Sequence, residues 1–136
     1  MANVALVATL AAPLSSNITP SNIAPSGLAE IAELPASVAW LQWRADLAGH
    51  VSASRLRSRF SGKLLYTLQS QHHGGAFAGP ATERHSLILA AAAHYDLLEL
   101  EAETDLTPEL LSAIPPRKRL ISWSGPACDS AQLRRT

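Results

Sequence analysis

The sequence has few cysteines, few aromatic residues and no excess of charge of either sign. Cys128 is the one cysteine among 136 residues, so no disulfide can form within the chain, and a reducing, cytoplasmic setting is expected. The 11 basic and 11 acidic side chains give a formal net charge of zero. Because no basic field is present to attract polyanions, we expect neither nucleic acid nor an anionic membrane as a partner.

Long apolar runs are also absent. The apolar, alanine-rich start at Met1–Leu14 lacks the basic residues that open a secretory signal, and no run is as long as a membrane span. Apolar residues make up 47% of the chain and charged residues 16%, which is typical of a folded globular protein. A chain of 136 residues is long enough for one core and too short for two full domains.

Short apolar segments that alternate with helical patterns dominate what remains. We predict helices where the spacing is helical and where proline or glycine closes the segment. Thr82 is the predicted N-cap of a helix that runs to His94, and a proline follows Thr107 at the start of the next predicted helix. The predicted strands are Val4–Leu10, Val38–Trp43, Lys63–Leu68, Asp96–Glu101 and Arg119–Trp123. The predicted helices are Gly27–Leu34, Ser52–Phe60, Thr82–His94, one that begins at Thr107–Leu111, and Ser130–Thr136.

This βα alternation predicts an α/β fold with about five parallel strands and intervening helices. Two architectures fit: an open doubly wound sheet, or part of an eight-stranded (β/α) barrel of the TIM type. A nucleotide-binding sheet needs a glycine-rich turn after its first strand, but Ala11–Leu14 contains no glycine. We therefore expect no dinucleotide and no other cofactor.

Five blocks of the sequence stand in a fixed order along the chain: Val7–Thr9, Leu41–Asp46, Tyr66–Ser70 with the following Gly74–Gly75, Tyr95–Leu100 and Leu120–Ser122. Together they resemble one family, the type I 3-dehydroquinate dehydratases of the shikimate pathway. The resemblance implies a (β/α) barrel, so it favours the barrel over the open sheet. It also implies a Schiff base between a lysine and the ketone of 3-dehydroquinate, a histidine that shuttles protons, and acidic and arginine side chains that hold the substrate.

Several positions that match functional residues of this family carry other side chains. The family's acidic residue in the second strand falls on Gln42, whereas the arginine two positions later is present as Arg44. The arginine expected after the third strand falls on Gln69, the glutamate before the paired glycines falls on His73, and the catalytic histidine falls on Ser124. We therefore expect Arg44, Gln42 and Gln69 to bind a substrate of the 3-dehydroquinate type, and no residue to catalyse its dehydration.

The imine-forming lysine would lie on the strand after the fifth, beyond this chain. Lys63 and Lys118 are placed at the starts of strands, which is the wrong end of a barrel for chemistry. Without the lysine there is no covalent route, and serine cannot replace a histidine in proton transfer near neutral pH.

Each of these residues also has a structural interpretation. Arg44 could form an ion pair with Asp46 or Glu99 instead of binding substrate, and Glu99 and Glu101, on one face of their strand, could anchor neighbours. Two adjacent histidines, such as His72 and His73, without a third ligand are typical of a flexible polar loop, so no metal site is expected. Cys128 has no histidine near it in sequence and is not expected to be a nucleophile.

Two explanations from different classes remain. In the first, residues 1–136 form the amino-terminal part of a barrel enzyme as a single, incomplete domain. In the second, they form a diverged, non-catalytic barrel-like domain for small-molecule binding, assembly or regulation of a partner. About five strands cannot close an eight-stranded barrel, so either case predicts self-association or pairing with a missing carboxyl-terminal half.

Overall fold

The computed structural model describes residues 6–10 and 31–123. Within them, strands and helices alternate as the hydrophobic pattern predicts. The strands are β1 (Leu6–Leu10), β2 (Val38–Arg44), β3 (Lys63–Thr67), β4 (Leu97–Glu101) and β5 (Arg119–Ser122). The α-helices are α1 (Ala45–Ala48), α2 (Ala53–Arg57), α3 (Ala81–Ala92) and α4 (Pro108–Ala113), and two short 3₁₀ helices cover Gln71–His73 and Pro116–Lys118.

All five strands lie in one parallel sheet in the order β1-β2-β3-β4-β5. Each strand therefore pairs with its neighbour in the chain. A doubly wound sheet reverses its strand order at a switch point, whereas consecutive barrel strands keep the order of the sequence. The topology of the described strands is thus that of a partial (β/α) barrel, and the open doubly wound alternative is wrong.

One face of the sheet carries the hydrophobic core. Side chains alternate along a strand, so Leu41 and Trp43 of β2 and Leu98 and Leu100 of β4 point to the helices, where all four are buried. Ile88 of α3 packs into the same cluster. Each fully buried side chain of this size contributes about 1.5–3 kcal/mol through the hydrophobic effect. This helix-covered side supplies most of the apolar burial among the described residues.

The other face would form the interior of a closed barrel. Its residues include Gln42 of β2, Thr67 of β3 and Glu99 of β4, which alternate with the buried apolar positions. At the two edges of the sheet, Val7 of β1 is 52% exposed and Leu120 of β5 is 41% exposed. We call this side the inner face. It is polar toward the carboxyl ends of the strands and apolar at its edges.

The helices differ from the sequence-based predictions in several places, and α2 is shorter at both ends than the predicted Ser52–Phe60. The N-cap of α3 is Pro80, not Thr82, because the helix begins at Ala81 and the fixed proline φ suits an extended entry. Ala45–Ala48, directly after β2, forms a single helical turn that is not among the predicted helices. The proposed start of α4 is confirmed, because the Thr107 hydroxyl accepts a hydrogen bond from the Leu110 amide at 3.3 Å.

Several predictions fall outside the described residues. They concern Ser124, Cys128, the helix at Ser130–Thr136 and the first half of the helix at Gly27–Leu34; in its second half, residues 31–34, Ile31 and Ala32 are helical. In the described part of the chain, no helix combines the length and apolarity needed to cross a membrane.

Candidate functional site

The carboxyl ends of the parallel strands meet at one edge of the sheet, and polar side chains gather there. Gln42 and Arg44 come from the end of β2, Thr67 from the end of β3, and Glu99 from β4. Their side chains share the inner face because parallel register partners point to the same side. The structure therefore brings together two of the three predicted substrate-binding residues, Gln42 and Arg44, in the position where barrel enzymes hold their active sites.

A continuous line of hydrogen bonds crosses four strands at this edge. The Thr9 hydroxyl donates to Gln42 Oε1 at 2.8 Å, and Gln42 Nε2 donates to Thr67 Oγ1 at 2.9 Å and to Glu99 Oε2 at 3.3 Å. The Thr67 hydroxyl in turn donates to Glu99 Oε2 at 2.8 Å. We call these four residues the polar line. Gln42 Nε2 thus faces two acceptors and Oε1 faces one donor, so these partners fix which end of the amide is nitrogen and which is oxygen.

The polar line can hold hydroxyl groups but has limited means to move protons. Glu99 is partly exposed and, when ionised, accepts hydrogen bonds on both oxygens. Gln42 can donate to or accept from a ligand hydroxyl, but an amide neither takes up a proton nor compensates a cation near neutral pH. The arrangement therefore suits recognition of a polyhydroxylated molecule better than general acid–base chemistry at Gln42.

Arg44 forms a bidentate ion pair with Asp46. Nε of Arg44 donates to Asp46 Oδ1 at 2.9 Å and Nη2 donates to Oδ2 at 2.7 Å. The hydrogen bonds to Asp46 are the largest cause that raises the pKa of Arg44; burial opposes them, while the charges of Asp46 and Glu99 add to the rise. Of the two structural partners that the sequence allowed for Arg44, the structure selects Asp46.

Asp46 also connects β2 to the loop after β3. The Ala76 amide donates to Asp46 Oδ2 at 3.1 Å. Burial alone would raise the pKa of Asp46, but hydrogen bonds from Arg44 and from the backbone amides of Ala76 and Gln69, together with the Arg44 charge, outweigh it and lower the pKa. Asp46 is thus held as a carboxylate that positions both the arginine and the neighbouring loop.

Gln69, the third predicted substrate-binding residue, is engaged within its own loop. Its side-chain amide donates to the backbone carbonyl of His73. The loop needs both following glycines, since Gly74 has φ +83° and a Cβ on Gly75 would lie 2.2 Å from the Gln69 carbonyl oxygen. The glycine pair therefore allows the loop to turn back onto Gln69.

The prediction that both histidines lie in a flexible polar loop is wrong for His73. Its side chain is 2% exposed, and Nε2 lies 3.2 Å from Glu103 Oε2 and 3.6 Å from Glu101 Oε2. Neither ring nitrogen of His73 has a partner of hydrogen-bond geometry among the described residues. His72 remains exposed. The two glutamates lie about thirty positions away in the sequence, so the pattern around the histidines gave no signal of this burial.

A buried cluster of charges lies behind the polar line and was missed by the sequence analysis. Arg84 of α3, 4% exposed, contacts Asp105 directly and lies 3.4 Å from Glu101. Glu101 accepts from the Ser70 amide at 2.8 Å and the Ser70 hydroxyl at 2.9 Å, and Asp105 accepts from the Glu101 amide at 2.6 Å. Glu101 and Glu99 both accept hydrogen bonds from neighbouring residues, as the structural interpretation of the pair supposed.

Lysines are absent from the described carboxyl ends of the strands. Lys63 begins β3 and Lys118 precedes β5, so both lie at the opposite edge, as expected. Ser124, at the position of the family's histidine, lies outside the described residues. In residues 6–10 and 31–123, no group of three or more histidine, cysteine, aspartate or glutamate side chains could hold a metal ion.

Solved type I 3-dehydroquinate dehydratases have a similar fold. The enzyme from Clostridium difficile, solved with covalently modified comenic acid, aligns with a TM-score of 0.65 and 16% identity over 88% of this chain and 49% of that one. The 3-dehydroquinate dehydratase of Enterococcus faecalis aligns with a TM-score of 0.66 and 21% identity over 89% of this chain and 52% of that one. The chain thus spans about half the length of each of these structures.

At these identities the likeness establishes the fold, and it confirms the partial (β/α) barrel. No protein-family model matches the chain, and no curated protein sequence does so either.

Proposed function

We propose that this chain is the amino-terminal part of a barrel related to type I 3-dehydroquinate dehydratase, and that its strand ends bind a cyclic polyhydroxy carboxylate of the 3-dehydroquinate type. The polar line is the observation that carries the proposal. It presents an amide, two hydroxyls and a carboxylate from four adjacent strands, beside a guanidinium on the same edge of the sheet. Hydroxyl groups of a substrate can form hydrogen bonds with the amide, the hydroxyls and the carboxylate of the polar line, and a substrate carboxylate can pair with the guanidinium.

We further propose that these 136 residues do not dehydrate the ligand by themselves. An imine needs a lysine within reach of the substrate ketone, but the two lysines of the sequence, Lys63 and Lys118, lie at the amino ends of their strands. The positions that match the family's acid and histidine carry Gln42 and Ser124, and neither side chain exchanges protons readily near neutral pH. General acid–base catalysis is typically worth about 10²–10⁴ in rate, so the loss is large.

A second function is favoured because the polar side chains of the site already have hydrogen-bond or ion-pair partners within the protein. Gln42 has protein partners at both ends of its amide, the Gln69 amide is used within its loop, and Arg44 is paired with Asp46. A site with few free donors suits a diverged, non-catalytic domain whose edges, β1 and β5, accept further strands or a second copy. In this alternative the inner face serves assembly or regulation of a partner instead of substrate recognition.

Calorimetric titration with 3-dehydroquinate separates the two functions. We expect heat of binding from the chain, and a Kd at least about tenfold weaker for Arg44→Ala, because a charged hydrogen bond contributes roughly 1.5–3 kcal/mol. The matched control is Arg55→Ala, which removes an exposed arginine from α2 and is expected to bind like the parent. Since Arg44→Ala leaves Asp46 without its partner, thermal unfolding must first show that the variant is folded.

Two results would overturn the proposal. Absence of heat from the parent chain would leave only the assembly or regulatory function. Formation of dehydroshikimate by the purified chain, or a borohydride-trapped adduct on either lysine, would show that it is catalytic after all.

A further inference from the structure

A cavity lies at the edge of the sheet opposite the polar line, where the strands begin. Its volume is about 440 Å³, within the range of small-molecule sites in proteins. Trp40, Lys63 and Leu97 line it from the strands, and Asp96, Arg117 and Lys118 line it from the segments that precede β4 and β5. We call it the basal pocket. It shares no residue with the polar line or with the buried charge cluster.

The basal pocket has an excess of positive charge although the whole chain is neutral. Three cations, Lys63, Arg117 and Lys118, face one carboxylate, Asp96. That carboxylate is already engaged, because it accepts from the Leu64 amide at 2.8 Å and pairs with Arg57 at 3.2 Å. In the described part of the chain, no carboxylate lies within ion-pair distance of the three cations.

Two of these cations are held in place by other groups. The Lys118 ammonium donates to the Ala92 carbonyl at 2.7 Å, which fixes the side chain and leaves two of its three hydrogens for a ligand. The Lys63 ammonium lies 5.3 Å from the centre of the Trp40 ring, in cation–π contact. Trp40 and Lys63 are register partners on β2 and β3, so this pair is built into the sheet. The pocket therefore needs little rearrangement to receive an anion.

Apolar surface lies beside the cations. Trp40 is half-buried and leaves part of its indole accessible, and Leu97 of β4 is also partly exposed. Lysines bind phosphates as point charges, and a planar ring gains from contact with an indole. A phosphate alone would use the cations and would leave this apolar wall unused.

We propose that the basal pocket binds an organic phosphate with a planar ring, of the size of a nucleoside monophosphate. Barrel enzymes perform their chemistry at the carboxyl ends of the strands, so a ligand held at the amino ends is bound without being transformed. Its effect is on the folded state, which a bound ligand stabilises by mass action. The pocket shares no residue with the site proposed at the carboxyl edge, although Trp40, Lys63 and Leu97 lie at the other end of the same inner face.

Adenosine monophosphate is the probe that tests the proposal, by calorimetric titration of the full chain and by its melting temperature. We expect binding that weakens as salt concentration rises. We expect Lys63→Gln/Arg117→Gln, which changes two exposed side chains, to bind at least tenfold more weakly. The control Arg55→Gln/Arg59→Gln removes the same charge from exposed positions outside the pocket and should bind within twofold of the parent.

Two further probes test each half of the ligand. Adenosine lacks the phosphate and inorganic phosphate lacks the ring, and each is expected to bind at least tenfold more weakly than adenosine monophosphate. Equal affinity for either one, an equal loss in the control variant, or no binding of adenosine monophosphate to the parent chain would overturn the proposal. Titration of the double variant with 3-dehydroquinate keeps the two proposals separate, because Arg44 and the polar line are unchanged in it.

Discussion

The two faces of the sheet differ in what their side chains do. On the helix-covered side, Leu64, Leu98 and Leu100 are fully buried and contact other apolar residues. On the inner face, Gln42, Thr67 and Glu99 contact one another through hydrogen bonds; Gln42 and Glu99 remain partly exposed at the carboxyl edge, whereas Thr67 is buried. The first set contributes to stability through apolar burial, whereas the second set exchanges hydrogen bonds with water for hydrogen bonds within the protein, at a small net gain.

This division explains how functional positions can change while the fold persists. An exchange between an acid and glutamine at position 42 changes a charge but keeps a side chain that can bond Thr9 and Thr67. The helix-covered side is untouched by such a change. The fold, which matches a solved structure at a TM-score of 0.65, therefore depends mainly on the helix-covered side and tolerates changes among the polar side chains of the inner face.

The largest expected effect on stability comes from replacing Arg84, which is charged and yet buried. Arg84→Met removes the cation that pairs with Asp105 and Glu101 and that donates to the Leu68 carbonyl at 2.8 Å. Two buried carboxylates then lose their compensation, which costs roughly 3–5 kcal/mol in unfolding free energy. Urea denaturation measures the loss. Arg84→Met/Asp105→Asn should recover part of it, and a loss below about 1 kcal/mol in the single variant would contradict the cluster's role.

A matched pair of leucines sharpens the comparison directly. Leu98→Ala, on the helix-covered side at 0% exposure, is expected to cost about 3 kcal/mol through lost burial and a cavity. Leu120→Ala, on the inner face of the neighbouring strand, is expected to cost less than about 1 kcal/mol because Leu120 is already 41% exposed. Denaturant unfolding of both variants tests this order. Equal costs would mean that the inner face of β5 is packed in solution.

A smaller loss of stability than that of Leu98→Ala is expected at Asp46, and it depends on pH. Its pKa in the folded state is lowered from 3.8, so the stability it contributes is complete above the unfolded pKa and is lost as pH falls through the lowered one. We expect Asp46→Asn to unfold about 2 kcal/mol more easily near pH 7, since charged hydrogen bonds are lost. The difference should narrow below pH 4. A gap that stays constant down to pH 2 would contradict the proposed role of the carboxylate.

The spacing of apolar residues identified the strands, because burial of one face against the helices requires apolar side chains at alternate positions of a strand. The runs around Leu41, Leu64 and Leu98 each alternate with polar positions or precede a turn, and the structure has strands at all three. The single turn at Ala45–Ala48 was missed because four residues directly after a strand are too few to show a helical period. Strand order, once known to follow the chain, then separates the barrel from the doubly wound sheet.

The site was less accessible to prediction, because its contacts join residues far apart in the chain. Gln42 and Arg44 could be located from the motif on β2, but the bonds of Gln42 to Thr9 and Glu99 depend on register across four strands. Burial of His73 depends on Glu101 and Glu103, and the ion pair of Arg84 joins a helix to the loop after β4. Spacing within one segment carries no information about such pairs.

The order of the strands also bears on how the chain reaches its folded state. Since β2 pairs with β1, β3 with β2, and so on to β5, each strand meets a partner that precedes it directly in the polypeptide. Domains can begin to fold from the amino terminus during synthesis, and contacts between chain neighbours form fastest. Each βα unit leaving the ribosome can therefore dock on the unit before it, so that assembly proceeds in one direction without waiting for a distant segment.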